Sequence, residues 1–161
     1  MKKKYQFVVF WEVDIIKILI NLLNYTQVYI KIVKKFLMKK INPNLSNTQN
    51  KILFEEGTEP PGSSELNNEK REGSYHCANC GVKLFESNAK YESGSGWPSF
   101  YESLPDAFET TTDYHIGYAR TEYHCKNCGG HHGHIFDDGP QPTGKRYCNN
   151  GVCLIFKQKN V

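Results

Sequence analysis

One heptapeptide occurs twice in this chain of 161 residues, as YHCANCG at 75–81 and as YHCKNCG at 123–129, identical at six of seven positions. Each copy is a Cys-x-x-Cys-Gly turn led by Tyr-His. Two sulfurs on one tight turn point at one metal ion, and the Gly supplies the permissive backbone that lets amides face the sulfurs. Two such turns make a single tetrahedral four-thiolate site from Cys77, Cys80, Cys125 and Cys128, so segments some fifty residues apart must meet. A redox-active Cys-x-x-Cys opens a helix in a βαβ setting, which neither copy does. Two disulfides would need an oxidising compartment, and the sequence offers no good signal peptide. A rival set, Cys125-x-x-Cys128-x-x-His131-x-x-His134, would leave Cys77 and Cys80 as a knuckle without a partner. The expected ion is one structural Zn2+, closed off by four thiolates and leaving no open position for chemistry; iron is the alternative that spacing alone leaves open.

Around these turns the pattern is that of β-structure. Short runs of Tyr, Phe, Val and Ile are separated by Gly and Pro, no helical period persists after residue 70, and 113–120 and 151–156 read as strands. Before them, residues 42–73 are polar and punctuated by Gly57, Pro60, Pro61 and Gly62. Ser46 caps a short helix running to about Glu56, ended by Gly57 and anchored by Leu53 and Phe54. The reading is an all-β domain with a small helical entry.

Residues 1–40 have another texture, with nine Lys against Glu12 and Asp14 and no Gly, Pro or Cys. That segment carries +7 of a total of +3, leaving −4 on residues 41–161. A mildly acidic folded part is a poor binder of phosphate backbones, so nucleic acid is not expected as a partner. The N-terminal segment reads as a lone basic helix, but Glu12, Asp14 and Lys17 interrupt its apolar run well short of the ~20 residues of a membrane span. Residues 1–37 are therefore taken as an extension, disordered or upstream of the native start, with targeting or contact with a membrane surface as alternatives. Met38 opens the domain, 38–161, expected to be a cytoplasmic monomer.

Two cysteines, Cys148 and Cys153, lie outside the knuckles. Cys148 follows Lys145 and Arg146, cations that favour the nucleophilic thiolate. If the loop HHGHIFDDGP (131–140) folds against it, the chain gains proton donors near neutral pH and a carboxylate to orient them. Taken alone, that loop is a solvated polar segment and Cys148 a small buried hydrophobe.

Taken together, SGSGWPSF (93–100), the two Cys-x-x-Cys pairs, HHGHIFDDGP and PTGKRYCNN closely resemble the methionine-R-sulfoxide reductases, the B class of methionine sulfoxide reductases, over about residues 45–157. The resemblance implies a mainly β, zinc-bearing fold of two antiparallel sheets that reduces the R epimer of methionine sulfoxide, free or in proteins. It carries the nucleophile onto Cys148, active-site histidines onto His131 and His134, the substrate-methyl contact onto Trp97, a polar layer onto Asp138, Arg146 and Asn150, and an aromatic wall onto Phe136. Three positions depart from the family. Ser95 stands where many members have Cys, His132 where Leu is common, and Asn149 where Ile or Val is usual; the last two are expected to make the pocket more polar. If 148–156 is one regular strand, Cys153 lies roughly 16 Å from Cys148, on the opposite face, too far for a disulfide. Cys153 is then core packing, and an external thiol such as thioredoxin clears the sulfenic acid on Cys148. The competing readings are a zinc-ribbon binding module, which leaves Cys148, Trp97 and the histidines unexplained, and a zinc-stabilised structural or chaperone-like scaffold that has lost its activity.

Overall fold

A computed structural model describes residues 25–26 and 41–160. The chain divides into two units, Met1–Leu37 and Met38–Val161, and the description that follows concerns the second. The reading of residues 1–37 as an extension falls outside the described residues. Among these, no helix is long and apolar enough to cross a membrane.

The helical entry is α1 (Asn47–Glu55), started by a capping box in which Ser46 Oγ accepts from the Gln49 amide at 3.1 Å and Gln49 Oε1 accepts from the Ser46 amide at 2.9 Å. It stops one residue sooner than Gly57 suggests, because Glu56 itself takes the left-handed conformation, φ 58°. The strands follow as β1 (Gly73–Cys77), β2 (Lys83–Glu86), β3 (Lys90–Tyr91), β4 (Ser99–Phe100), β5 (Phe108–Asp113), β6 (Arg120–Cys125), β7 (His131–Phe136), β8 (Arg146–Asn149) and β9 (Leu154–Gln158). They form two antiparallel sheets, as expected: a small one ordered β2-β1-β9 and a large one ordered β3-β4-β8-β7-β6-β5.

Two strand assignments fail for local reasons. Residues 113–120 are the β5–β6 hairpin tip, since Asp113 Oδ1 accepts from the His115 amide at 2.7 Å and Gly117, at φ 89°, donates to the Tyr114 carbonyl. The Asx turn and the glycine overrule the β-propensity of Tyr114, Ile116 and Tyr118, all left exposed. Segment 151–156 opens as a 3-10 turn, Gly151–Cys153, before β9 begins. That turn carries the chain from the large sheet to the small one, so 148–156 is not one strand.

Between the sheets lies an aromatic core. Phe85 stacks on Phe100 at 4.0 Å, and Tyr75 meets Phe100 edge-on at 4.9 Å, pairs that each add about 0.5–1.5 kcal/mol beyond simple burial. A second cluster beneath α1 joins Leu45, Ile52, Leu53, Ala78 and Cys153. Cys153 is fully buried there, in the packing role expected of it.

Candidate active site and metal centre

The repeated turns are built alike. Gly81 and Gly129 both sit at φ 74°, and each donates its amide to the carbonyl of the first cysteine of its own turn at 2.8 Å. They bring Cys77, Cys80, Cys125 and Cys128 together with all four sulfurs within 4.8 Å of one another. The separations of Cys77 from Cys128 and of Cys80 from Cys125, 3.8 and 3.6 Å, match the ~3.8 Å edge of a tetrahedron with ~2.3 Å metal–sulfur bonds. Donating to Cys125 and Cys128 holds the Cys77 thiol far above its ordinary range, and the hydrogen bond to Cys128 pushes Cys125 up to about 12. Such a cluster calls for a cation to let all four ionise, and its geometry can hold one. His131 and His134 take no part in it.

The other predicted site residues gather where β7 meets β8. Cys148 lies opposite His134 in the ladder, and Gly133 allows the strands to close, since a Cβ there would stand 2.0 Å from the Cys148 carbonyl oxygen. Around a cavity of about 110 Å³ stand Trp97, His134, Phe136, Cys148 and Asn150, with Thr58 and Arg120, which the sequence did not single out. A more open hollow of about 600 Å³ on the small sheet is lined by no cysteine or histidine.

His131 reaches the site by an irregularity. Three residues apart on a regular strand, His131 and His134 would face opposite ways. In the β6–β7 ladder Tyr123 pairs with Gly133 but His124 with His131, so His132 is an extra, bulged residue. The bulge returns His131 to the face of His134, with the two rings 5.7 Å apart. His131 is nevertheless buried behind the cavity, its Nδ1 2.7 Å from Glu122 Oε1. The carbonyl of His132 accepts from the backbone amide and the side-chain amide of Asn150, fixing that residue at the cavity wall.

Burial acts in opposite directions on the cavity's thiol and its imidazole. Burial pushes the Cys148 thiol above its ordinary value, although Ser95, with Oγ 3.9 Å away, and Arg146 both pull it down. Arg146 thus favours the thiolate, as its position suggests, but burial outweighs it, for Lys145 turns to Asp137 and Arg146 also gives its fork to Asp138 at 2.7 and 2.8 Å while lying over the Phe136 ring. Burial also lowers His134, partly offset by Asp113 at 2.9 Å. For Asp113, burial would raise the carboxyl, but the His115 amide, His134 and Arg120 hold it at about 2.

Further support was not legible in the motifs. The buried Glu59 carboxylate accepts from the amides of Gly151 and Val152, its own amide donates to Asn150 Oδ1 at 3.0 Å, and its carbonyl takes the Trp97 indole N–H at 3.0 Å. One residue thus ties together Trp97, Asn150 and the turn after Cys148. Its only sequence mark is the kinked Thr-Glu-Pro-Pro-Gly stretch. His132 and Asn149 correct another expectation, for neither lines the cavity. Both are completely buried, with Asn149 Oδ1 accepting from Tyr123 Oη at 2.9 Å and lying 3.3 Å from His132 Nδ1. The two departures from the family face the core and answer each other.

Residues 45–158 match the SelR domain. The chain is 49% identical over 117 residues to the peptide methionine sulfoxide reductase MsrB of Pseudomonas putida (strain W619), covering 72% of this chain and 88% of the relative. It is 49% identical over 118 residues to the protein of that name from Leifsonia xyli subsp. xyli (strain CTCB07), covering 72% and 85%. Against that from Escherichia coli O45:K1 (strain S88 / ExPEC) it is 47% identical over 119 residues, covering 73% and 87%.

Proposed function

Since the chain belongs to the SelR family of peptide methionine sulfoxide reductases, we propose that its domain, residues 38–161, reduces methionine-R-sulfoxide to methionine with Cys148 as nucleophile. The observation that carries this is one small cavity with a thiol, an imidazole and an indole on its walls: Cys148, His134 and Trp97.

Cys148 sulfur attacks the electrophilic sulfur of the sulfoxide while His134 delivers a proton to its oxygen. The attack forms an S–S bond; the substrate S–O bond then breaks as the hydroxyl passes to the Cys148 sulfur, the S–S bond breaks with it, and methionine leaves a sulfenic acid behind. The proton lost by the thiol and the one gained by oxygen balance. An external dithiol, such as a thioredoxin, then reduces Cys–SOH, giving water and its own disulfide. His134 is the better-placed acid; His131, behind it, supports the ring. Asp113 orients His134, and Asn150, held by the His132 carbonyl and by the Glu59 amide, fixes the wall beside Cys148. Trp97, tethered through its indole N–H, offers its face to the terminal methyl, so that in the R epimer the oxygen points at His134. The Arg146–Asp138 pair braces Phe136. Cys77, Cys80, Cys125 and Cys128 hold one Zn2+ whose role is to staple the two sheets.

Single-turnover assays of the full chain with each epimer separately, and with Cys148→Ser, test the reading. Methionine equal to the wild-type Cys148 content from the R epimer alone, and none from the variant, is the expected result. Turnover of neither epimer by folded, metal-replete protein would sink it.

A further inference from the structure

Among the described residues a second group of ligand-type side chains has its donor atoms within 4.8 Å of one another: Glu122, His124 and His131, all buried. The hairpin register assembles it. Glu122 and His124 are two apart on β6 and share a face, and the His132 bulge brings His131 opposite His124 onto that same face, with the two rings 5.6 Å apart. Glu122 Oε1 lies 2.7 Å from His131 Nδ1 and 3.3 Å from His124 Nε2. These are ion-pair distances without hydrogen-bond direction. His124 Nε2, His131 Nδ1 and His131 Nε2 are all shut off from solvent with no hydrogen-bond partner among the described residues. Orphaned buried nitrogens are rare, and here two of them converge on one carboxylate oxygen.

We infer that Glu122, His124 and His131 form a second metal site, for a divalent transition ion of the Zn2+ or Co2+ class, distinct from the four-thiolate cluster. Two imidazoles and a carboxylate suit such ions, and ~2.0–2.2 Å bonds in a tetrahedral arrangement separate ligand atoms by roughly 3.3–3.5 Å. The His124–Glu122 pair already stands at 3.3 Å, and the His131–Glu122 pair opens by roughly 0.7 Å to reach it. Glu122 Oε2 accepts from Thr111 Oγ1 at 3.2 Å, the outer bond that orients a ligating carboxylate. The fourth position has a candidate in Glu56, whose half-exposed carboxylate comes within 4.0 Å of His124 Nε2 from the left-handed end of α1. That exposed edge is also the way in. The functional consequence rests on the reductase reading: an ion here takes the Nδ1 lone pair of His131 and pins the ring behind His134, so binding represses turnover reversibly.

The test titrates the full chain, already holding one zinc, with Co2+ and follows both the visible spectrum and bound metal per chain. A second equivalent is expected, with d–d bands of nitrogen and oxygen ligation and no added thiolate charge transfer. In His124→Gln its affinity falls more than about tenfold while the first zinc is retained. Glu56→Gln, a surface change that leaves the fold alone, weakens it less. Saturation at one metal per wild-type chain overturns the proposal without recourse to any variant, as does a second equivalent indifferent to both substitutions. Activity is measured in parallel. Metal should repress wild-type turnover and spare His124→Gln, whereas a second ion bound by protein that reduces neither epimer even before metal is added leaves this site standing and removes the function proposed above.

Discussion

At the scale of single residues, burial widens the ordinary gap between the cavity's thiol and its imidazole. Burial raises Cys148 and lowers His134, so the thiol and the neutral ring dominate between their values. The reactive combination of thiolate and imidazolium has the same proton count and is a constant fraction over that interval. Single-turnover kcat/KM is therefore expected to stay flat across neutrality, falling only below pH 6.5, as His134 takes up its proton, and above pH 9, as the thiol is lost. Iodoacetamide should label Cys148 at a rate still climbing about tenfold per pH unit through pH 8, with no plateau below about pH 9; an early plateau would show that Arg146 wins over burial. Ser95 Oγ stands 3.9 Å from Cys148 Sγ, so Ser95→Cys is expected to trap an internal disulfide after one turnover, visible by peptide mass mapping. Cys153, sealed in the second core, should stay unlabelled throughout.

At the scale of strands and turns, the core offers a sharper comparison. Asn149→Val strands the Tyr123 hydroxyl and should cost about 1–3 kcal/mol in urea denaturation. His132→Leu removes a buried ring whose Nε2 has no partner among the described residues, and should cost less. Made together, the two should cost less than their sum, by about 0.5–3 kcal/mol of coupling; simple additivity would mean that the 3.3 Å contact is energetically empty. Element-scale features were also where the sequence was hardest to read. The Ser46 cap and the two knuckles were legible because short-range chemistry dictates them. The 113–120 tip was not, because exposed Tyr and Ile imitate a strand, and the inward turn of His132 and Asn149 was hidden because a bulge resets which residues face the core.

For the molecule as a whole, the meeting of residues 77 and 128 could be read from the repeated turns, since any fold that joins them must fold the chain back across about fifty residues, while the two sheets were legible only through the family resemblance. Cys148, His134, Trp97, Phe136 and Asn150 could be placed around one cavity by their motifs, whereas Thr58, Glu59, Asp113, Arg120 and Glu122 could not, being ordinary polar residues that matter only through long-range contacts. The four-thiolate cluster joins the end of β1 in the small sheet to the end of β6 in the large one, so Cys125→Ser should loosen both sheets together. The expected outcome is loss of the bound metal and a fall in Tm on the order of 10 °C or more, followed by circular dichroism; an unchanged Tm would show that the aromatic core suffices.

The bulge in β7 makes the site depend on counting as well as on spelling. With His132 in place the count from His131 to His134 is odd and only the bulge puts both rings on one face; without His132 the ladder between β6 and β7 would run straight and the same two rings, now two residues apart, would still share that face. A scan that exchanges residues one for one leaves this tolerance invisible, while a scan that removes them one at a time would expose it at His132.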